Sequence, residues 1–108
     1  MSDDNQIDIP QSFMALFLEP GRHKPNASRE VIALRYELCE DLANMLTETA
    51  RDMFHGLGLS EDAVLQRCHR GLAGEDAVVS AAESVWVVRR LAELLEWAQP
   101  ELGAAGQP

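Results

Sequence analysis

VIALRYELCEDLANMLTETARDMF, residues 31–54, carries the strongest periodic signal in the chain. Val31, Leu34, Leu38, Leu42, Met45, Leu46, Thr49 and Met53 recur at mostly three- and four-residue steps, the spacing that lines one face of an α-helix. Ile32, Cys39, Ala43, Ala50 and Phe54 widen this stripe on one side. Glu37, Glu40, Asp41, Asn44, Glu48, Arg51 and Asp52 lie on or beside the other face. The stretch predicts one long amphipathic helix with an acidic outer surface. Its N-cap is Asn26 or Ser28, whose side-chain oxygen can accept from a backbone N–H that has no partner inside the helix. It runs to about His55, where Gly56 or Gly58 supplies a left-handed C-cap.

Two further helices follow downstream. Ser60 caps the next one, with Glu61 and Asp62 in the first turn, where the helix dipole favours acids. Leu59 and Val64 stand at the positions of a hydrophobic staple, and Gly71 ends the helix. After a loop containing Gly74, SAAE at residues 80–83 is a capping box, in which Ser80 caps and Glu83 reaches back. The last helix extends to about Gln99 and is stopped by Pro100. Its main stripe is Ala81, Val85, Val88, Leu91, Ala92 and Leu95, widened by Val87, Leu94 and Ala98. Upstream of the long helix, IPQSFMALFL at residues 9–18 reads as a short helix with Pro10 at its first turn, or as an extended segment. Pro20-Gly21 closes that element and a loop runs to Pro25. The expected fold class is all-α: a small three-helix bundle with a short N-terminal helical or extended segment packed on it. A single helical domain covers residues 9–99, between a frayed stretch at 1–8 and a flexible tail at 100–108.

A chain of 108 residues can bury roughly 65% of its unfolded surface, enough for an independent core. Its 18 acids against 9 bases give a net charge of -9. Such a surface disfavours general nucleic-acid binding, which needs a positive face, and an anionic membrane. No apolar run reaches the ~18 residues of a membrane span. MSDDNQID is acidic where a secretion signal has a basic start, so a cytoplasmic setting is expected, with no membrane partner.

No motif for chemistry emerges. The sequence contains no GxxxxGK[ST], GxGxxG or HExxH. His23, His55, His69, Cys39 and Cys68 are the candidate metal ligands, but no pair has suitable spacing. If the first two long helices form an antiparallel hairpin about residue 57, Cys68 lies opposite residue 46, and Cys39 is ~10 Å further along. A disulfide between them is not expected, and Cys39 reads as a buried apolar thiol. The serines mostly read as caps or helix-surface groups, and Glu40-Asp41 as solvated charge. The expectation is no enzyme, no cofactor and no metal.

Three features point to partners. Trp86 and Trp97, eleven residues apart, share a face of the last helix with Arg90 and Glu93. Tryptophan and arginine dominate interface hot spots, so these four form the leading partner-binding set. Alternatively, the Phe13/Phe17 segment folds over the tryptophans, or the face pairs with a second copy as a homodimer. Arg22, His23, Lys24 and Arg29 gather in EPGRHKPNASRE, residues 19–30. That loop either tempers the chain's own acids or is a basic contact for an acidic partner, making Arg22 and Lys24 a secondary site. Arg35 falls inside the apolar stripe, and either pairs with a neighbouring acid or forms an anion site near the helix start.

The stretches IPQSFMALFLEPGRHKP, ALRYELCEDLANMLTE and HRGLAGEDAVVSAAESVWVVRRLAELLEW together resemble a family of short proteobacterial proteins that carry the label "ATPase with chaperone activity". The likeness covers roughly residues 9–97. It implies a small bacterial cytoplasmic protein, accessory to a larger machine. The sequence thus leads to a non-enzymatic protein-binding module: an adaptor, co-chaperone or regulatory subunit. Two alternatives stand beside it. One is an acidic decoy for a nucleic-acid-binding protein, with helix carboxylates in place of phosphates. The other is a nucleotide-binding or ATPase-associated protein.

Overall fold

The structure is a computed structural model and describes residues 8–102. Among these residues the fold is all-α. Helix α1 spans Gln11–Met14 and continues as a 3-10 turn over Ala15–Phe17; α2 spans Arg29–Gly56, α3 Glu61–Leu72 and α4 Ala81–Leu95. The expectations for residues 1–7 and 103–108 lie outside the described residues.

The helix boundaries follow local chemistry. Pro10 cannot donate from its nitrogen, but its carbonyl accepts from Phe13 and Met14 at 3.0 Å each, opening α1. Ser28, rather than Asn26, caps α2: its Oγ accepts from Val31 N at 3.2 Å. The other end of α2 passes Gly56 into Gly58, which takes a φ of 68° that side-chain-bearing residues rarely adopt. Ser60 Oγ accepts from Ala63 N at 3.1 Å to start α3. The capping box of α4 is complete in both directions, with Ser80 N donating to Glu83 Oε1 at 2.9 Å and Glu83 N to Ser80 Oγ at 3.1 Å.

The chain divides into two compact units within α2, one up to Leu38 and one from Cys39 onward. In the first unit, Phe13 is fully buried. Its ring lies 5.5 Å from Phe17 and 5.6 Å, edge-on, from Tyr36 of α2, geometry that suits the aromatic quadrupole. The second unit is a three-helix bundle. Ala50 of α2, Val64, Leu65 and Cys68 of α3, and Val88, Leu91 and Ala92 of α4 make one buried cluster, with Leu46, Met53, Phe54 and Leu95 packed around it.

Two expectations change. The long helix buries the stripe that begins at Val31 only in part, with Leu46 and Met53 packed on the core. Ile32, Cys39, Ala43 and Ala50 are fully buried, while Val31, Leu34 and Met45 are 45%, 66% and 68% exposed. The buried line sits about 100° round the helix from Val31. Beyond Ile32 it runs through the small residues Cys39, Ala43 and Ala50, which let helix axes approach closely. Second, α4 stops at Leu95 instead of Gln99. Glu96 adopts a left-handed φ of 62°. Its N–H donates to Glu93 O at 3.0 Å, and Trp97 N–H donates to Ala92 O at 2.9 Å, the paired bonds of a Schellman closure. The chain then folds back onto the bundle. Pro100 and Leu102 are buried, and Gln66 Nε2 donates to Glu101 O at 3.0 Å. The flexible tail expected from Pro100 is therefore replaced, over residues 100–102, by packed chain.

Candidate protein-binding site

α4 is buried on more than one side. Val88, Leu91 and Ala92 face the bundle cluster, and Val87, Trp86, Glu83 and Ser84 are buried as well. The face carrying Trp86, Arg90, Glu93 and Trp97 is consequently not one open strip. Trp86 retains 8% exposure. Trp97 lies past the end of α4, half-buried, with its ring 5.3 Å from Phe54 of α2. Phe54 meets His55 edge-on at 5.1 Å, so the end of the second unit carries a three-ring group with its histidine exposed. Two of the four residues are thus drawn into packing.

Arg90 is the hinge of the remaining pair. Its Nε donates to Glu40 Oε1 and Oε2 at 3.0 and 3.2 Å, and its Nη2 to Glu40 Oε2 at 3.0 Å. Its Nη1 donates to Glu93 Oε1 at 3.1 Å, one turn along α4. The forked guanidinium therefore ties α2 to α4 through a near-bidentate carboxylate. The hydrogen bond that Arg90 donates to Glu40 is the largest influence holding the Arg90 pKa above its ordinary value, with smaller help from Glu93 and the two carboxylate charges against the cost of burial. Glu40 reads from sequence as solvated charge beside Asp41. Nothing local could reveal its partner, because Arg90 lies fifty residues away.

Comparison with protein-family models, curated proteins and solved structures returns no match. The site rests on this chain's own geometry.

Arg22 and Lys24 are exposed, in a loop with defined shape. Arg22 N donates to Glu19 O at 2.9 Å across Pro20-Gly21, where Gly21 has a φ of 79°. Pro at the second position and a positive-φ Gly at the third make this a type II turn. Asn26 N donates to Phe17 O at 2.7 Å and closes the loop at its base. The basic side chains therefore project from a stiff loop. Arg35 is half-buried on α2 and is not left without a partner.

Among the described residues no group of three or more His, Cys, Asp or Glu is placed to hold a metal. No described helix is long and apolar enough to cross a membrane. Neither Cys39 nor Cys68 is in a disulfide, and both are buried; burial pushes the Cys68 pKa up. The surface that sequence periodicity misassigned is the apolar strip of α2, where Val31, Leu34 and Met45 are exposed and Leu38 and Leu42 half-buried. Glu37, Asp41, Glu48 and Asp52 flank it, all exposed.

Proposed function

We propose that the chain is a non-enzymatic protein-binding module of a bacterial cytoplasmic system, acting as an adaptor, co-chaperone or regulatory subunit. The observation that carries this reading is the strip of large apolar side chains left at the surface of α2, on a helix whose other apolar face is already in the core. Contiguous apolar surface beside a polar rim is the usual mark of a protein interface. The Arg22 and Lys24 loop supplies a charged secondary contact, and Glu93 stands at the surface end of the Arg90 bridge, its side chain 60% exposed. Trp86 contributes by holding α4 in place instead of by touching the partner.

The test is capture of partners by the immobilised protein and by a Leu34→Lys/Met45→Lys variant, washed at low and high salt. A stoichiometric protein retained by the parent at high salt and lost from the variant supports the reading. Saturable ATP binding in calorimetry by the parent chain would overturn it in favour of the nucleotide-binding alternative. The exposed carboxylates Glu37, Asp41, Glu48 and Asp52 along α2 favour one second reading, the acidic decoy. That reading predicts basic partners released at high salt, with binding unaffected by the Leu34→Lys/Met45→Lys change.

A further inference from the structure

The chain from Glu96 to Leu102 breaks a local rule and then fills a groove. Ala98 and Gln99 are good helix formers ahead of Pro100, so local preference carries α4 on toward Gln99. Instead α4 stops at Leu95, and Glu96 is the only non-glycine at positive φ among the described residues. A side chain in that conformation is strained, and such strain persists only where the surroundings hold it. The segment that follows supplies the hold. Trp97 lies 5.3 Å from Phe54. Gln99 Nε2 donates to Arg89 O of α4 at 3.1 Å, and Gln66 Nε2 of α3 donates to Glu101 O at 3.0 Å. Pro100 and Leu102 are buried with Glu101 exposed between them, the alternation of an extended strand. Leu102 enters the cluster that holds Leu65 and Leu91.

We propose that residues 97–102 are a displaceable strap seated in a peptide-binding groove of the second unit, with Glu96 as its hinge, and that the groove's ligand is an extended segment of another protein with apolar residues at alternate positions. The strap itself displays the chemistry of recognition. Gln66 reads a backbone carbonyl, which every residue type offers. The apolar side chains on either side of that carbonyl, Pro100 and Leu102, take the buried places. Main-chain hydrogen bonding with pockets for alternate side chains is a general mode of binding extended peptides. Release needs a change of backbone conformation at Glu96, which lets α4 continue and relieves the strain there. That gain offsets part of the burial lost with Leu102. The strap is therefore an autoinhibitory contact: the apparent affinity for a ligand is the groove's own affinity reduced by the fraction of molecules in which the strap is open. The groove uses none of the exposed apolar residues of α2, so it stands independently of the reading of that strip.

Two measurements on the full chain test this. In Leu102→Cys, the introduced thiol and the buried Cys39 and Cys68 are alkylated together in native buffer and followed by mass spectrometry. The thiol at position 102 should react at least about 100-fold faster than the other two, which wait for deeper unfolding. Adding Glu96→Gly should slow that reaction about threefold or more, because glycine takes a positive φ without strain and keeps the strap closed. Equal rates at all three positions would overturn the strap. Leu102→Cys itself loosens the closed form, so the ligand is tested with Leu102 in place. A fluorescent peptide WAQPEL, the sequence of residues 97–102, is titrated by anisotropy into the parent, Glu96→Gly and Leu102→Asp. Saturable binding should be tightest to Leu102→Asp, at least about tenfold weaker to the parent, and weaker again to Glu96→Gly. A peptide with the same Leu102→Asp change should not bind. Equal binding to the parent and Glu96→Gly, or binding to none of the three, would overturn the proposal. Should circular dichroism show Leu102→Asp unfolded, the comparison of the parent with Glu96→Gly decides alone.

Discussion

At the scale of the residue, Arg90 shows how one side chain joins elements that sequence distance separates. Its fork spans Glu40 on α2 and Glu93 on α4. The Arg90 side chain is one-third exposed, so solvent screens part of the attraction. Arg90→Ala should cost about 1 kcal/mol in urea denaturation. Arg90→Lys should recover only a fraction, because an ammonium cannot make the forked contact. Glu40→Gln combined with Arg90→Ala should cost less than the two single changes added together, as expected of partners in contact. The thiols offer a second check. Burial raises the Cys68 pKa, so the folded chain keeps a proton that the unfolded chain releases above about pH 8.5. That contribution to stability is full below this pH and is lost progressively as pH rises from it through the higher folded value. Both cysteines should resist alkylation at pH 8 in the native protein and react fully in denaturant, as measured by mass spectrometry.

At the scale of the element, the caps were legible because each is a local event. Ser60, Ser80 and Glu83 lie within three residues of the groups they satisfy. Ser80→Ala should lower stability by about 1 kcal/mol, measured from the shift in denaturation midpoint. The buried face of α2 was legible only in part: Ile32, Cys39, Ala43 and Ala50 read as the edge of the stripe and prove to be its buried line. Periodicity gives the angular width of an apolar surface, and α2 has a wide one; it does not say which edge meets the neighbours. Cys39, Ala43 and Ala50 win because their small side chains fit where helices come close. Ala50→Leu should therefore overpack the cluster and cost about 1–3 kcal/mol, whereas Met45→Lys on the exposed strip should change stability by less than about 0.5 kcal/mol. The end of α4 escaped for a different reason: Glu96 takes a left-handed conformation usually left to glycine or asparagine, so no local residue announced the stop.

At the scale of the whole molecule, residues beyond the helices complete the packing of the second unit. Leu102 joins the same buried cluster as Leu65 and Leu91, and the Trp97 ring packs at a tilt against Phe54. Leu102→Ala should destabilise by about 2 kcal/mol or more, and Trp97→Ala by about 2–3 kcal/mol, less than a fully buried ring because Trp97 keeps a wet edge. Both losses are readable by thermal melting followed by circular dichroism. Had the tail from Pro100 been loose, the first change would be silent.

The sequence alone determined the all-α class, the order of the three long helices, the N-caps of α3 and α4, and the excess of acid over base. Those properties depend on local hydrogen bonding, helical periodicity and composition, which act over a few residues at a time. Only tertiary structure decided which apolar face of α2 enters the core, that Trp86 is buried, that Glu40 belongs to Arg90, and that residues 97–102 turn back onto the bundle. Each of these is settled by which surfaces, distant along the chain, lose water together, and the pairing of distant surfaces is not encoded at any single position.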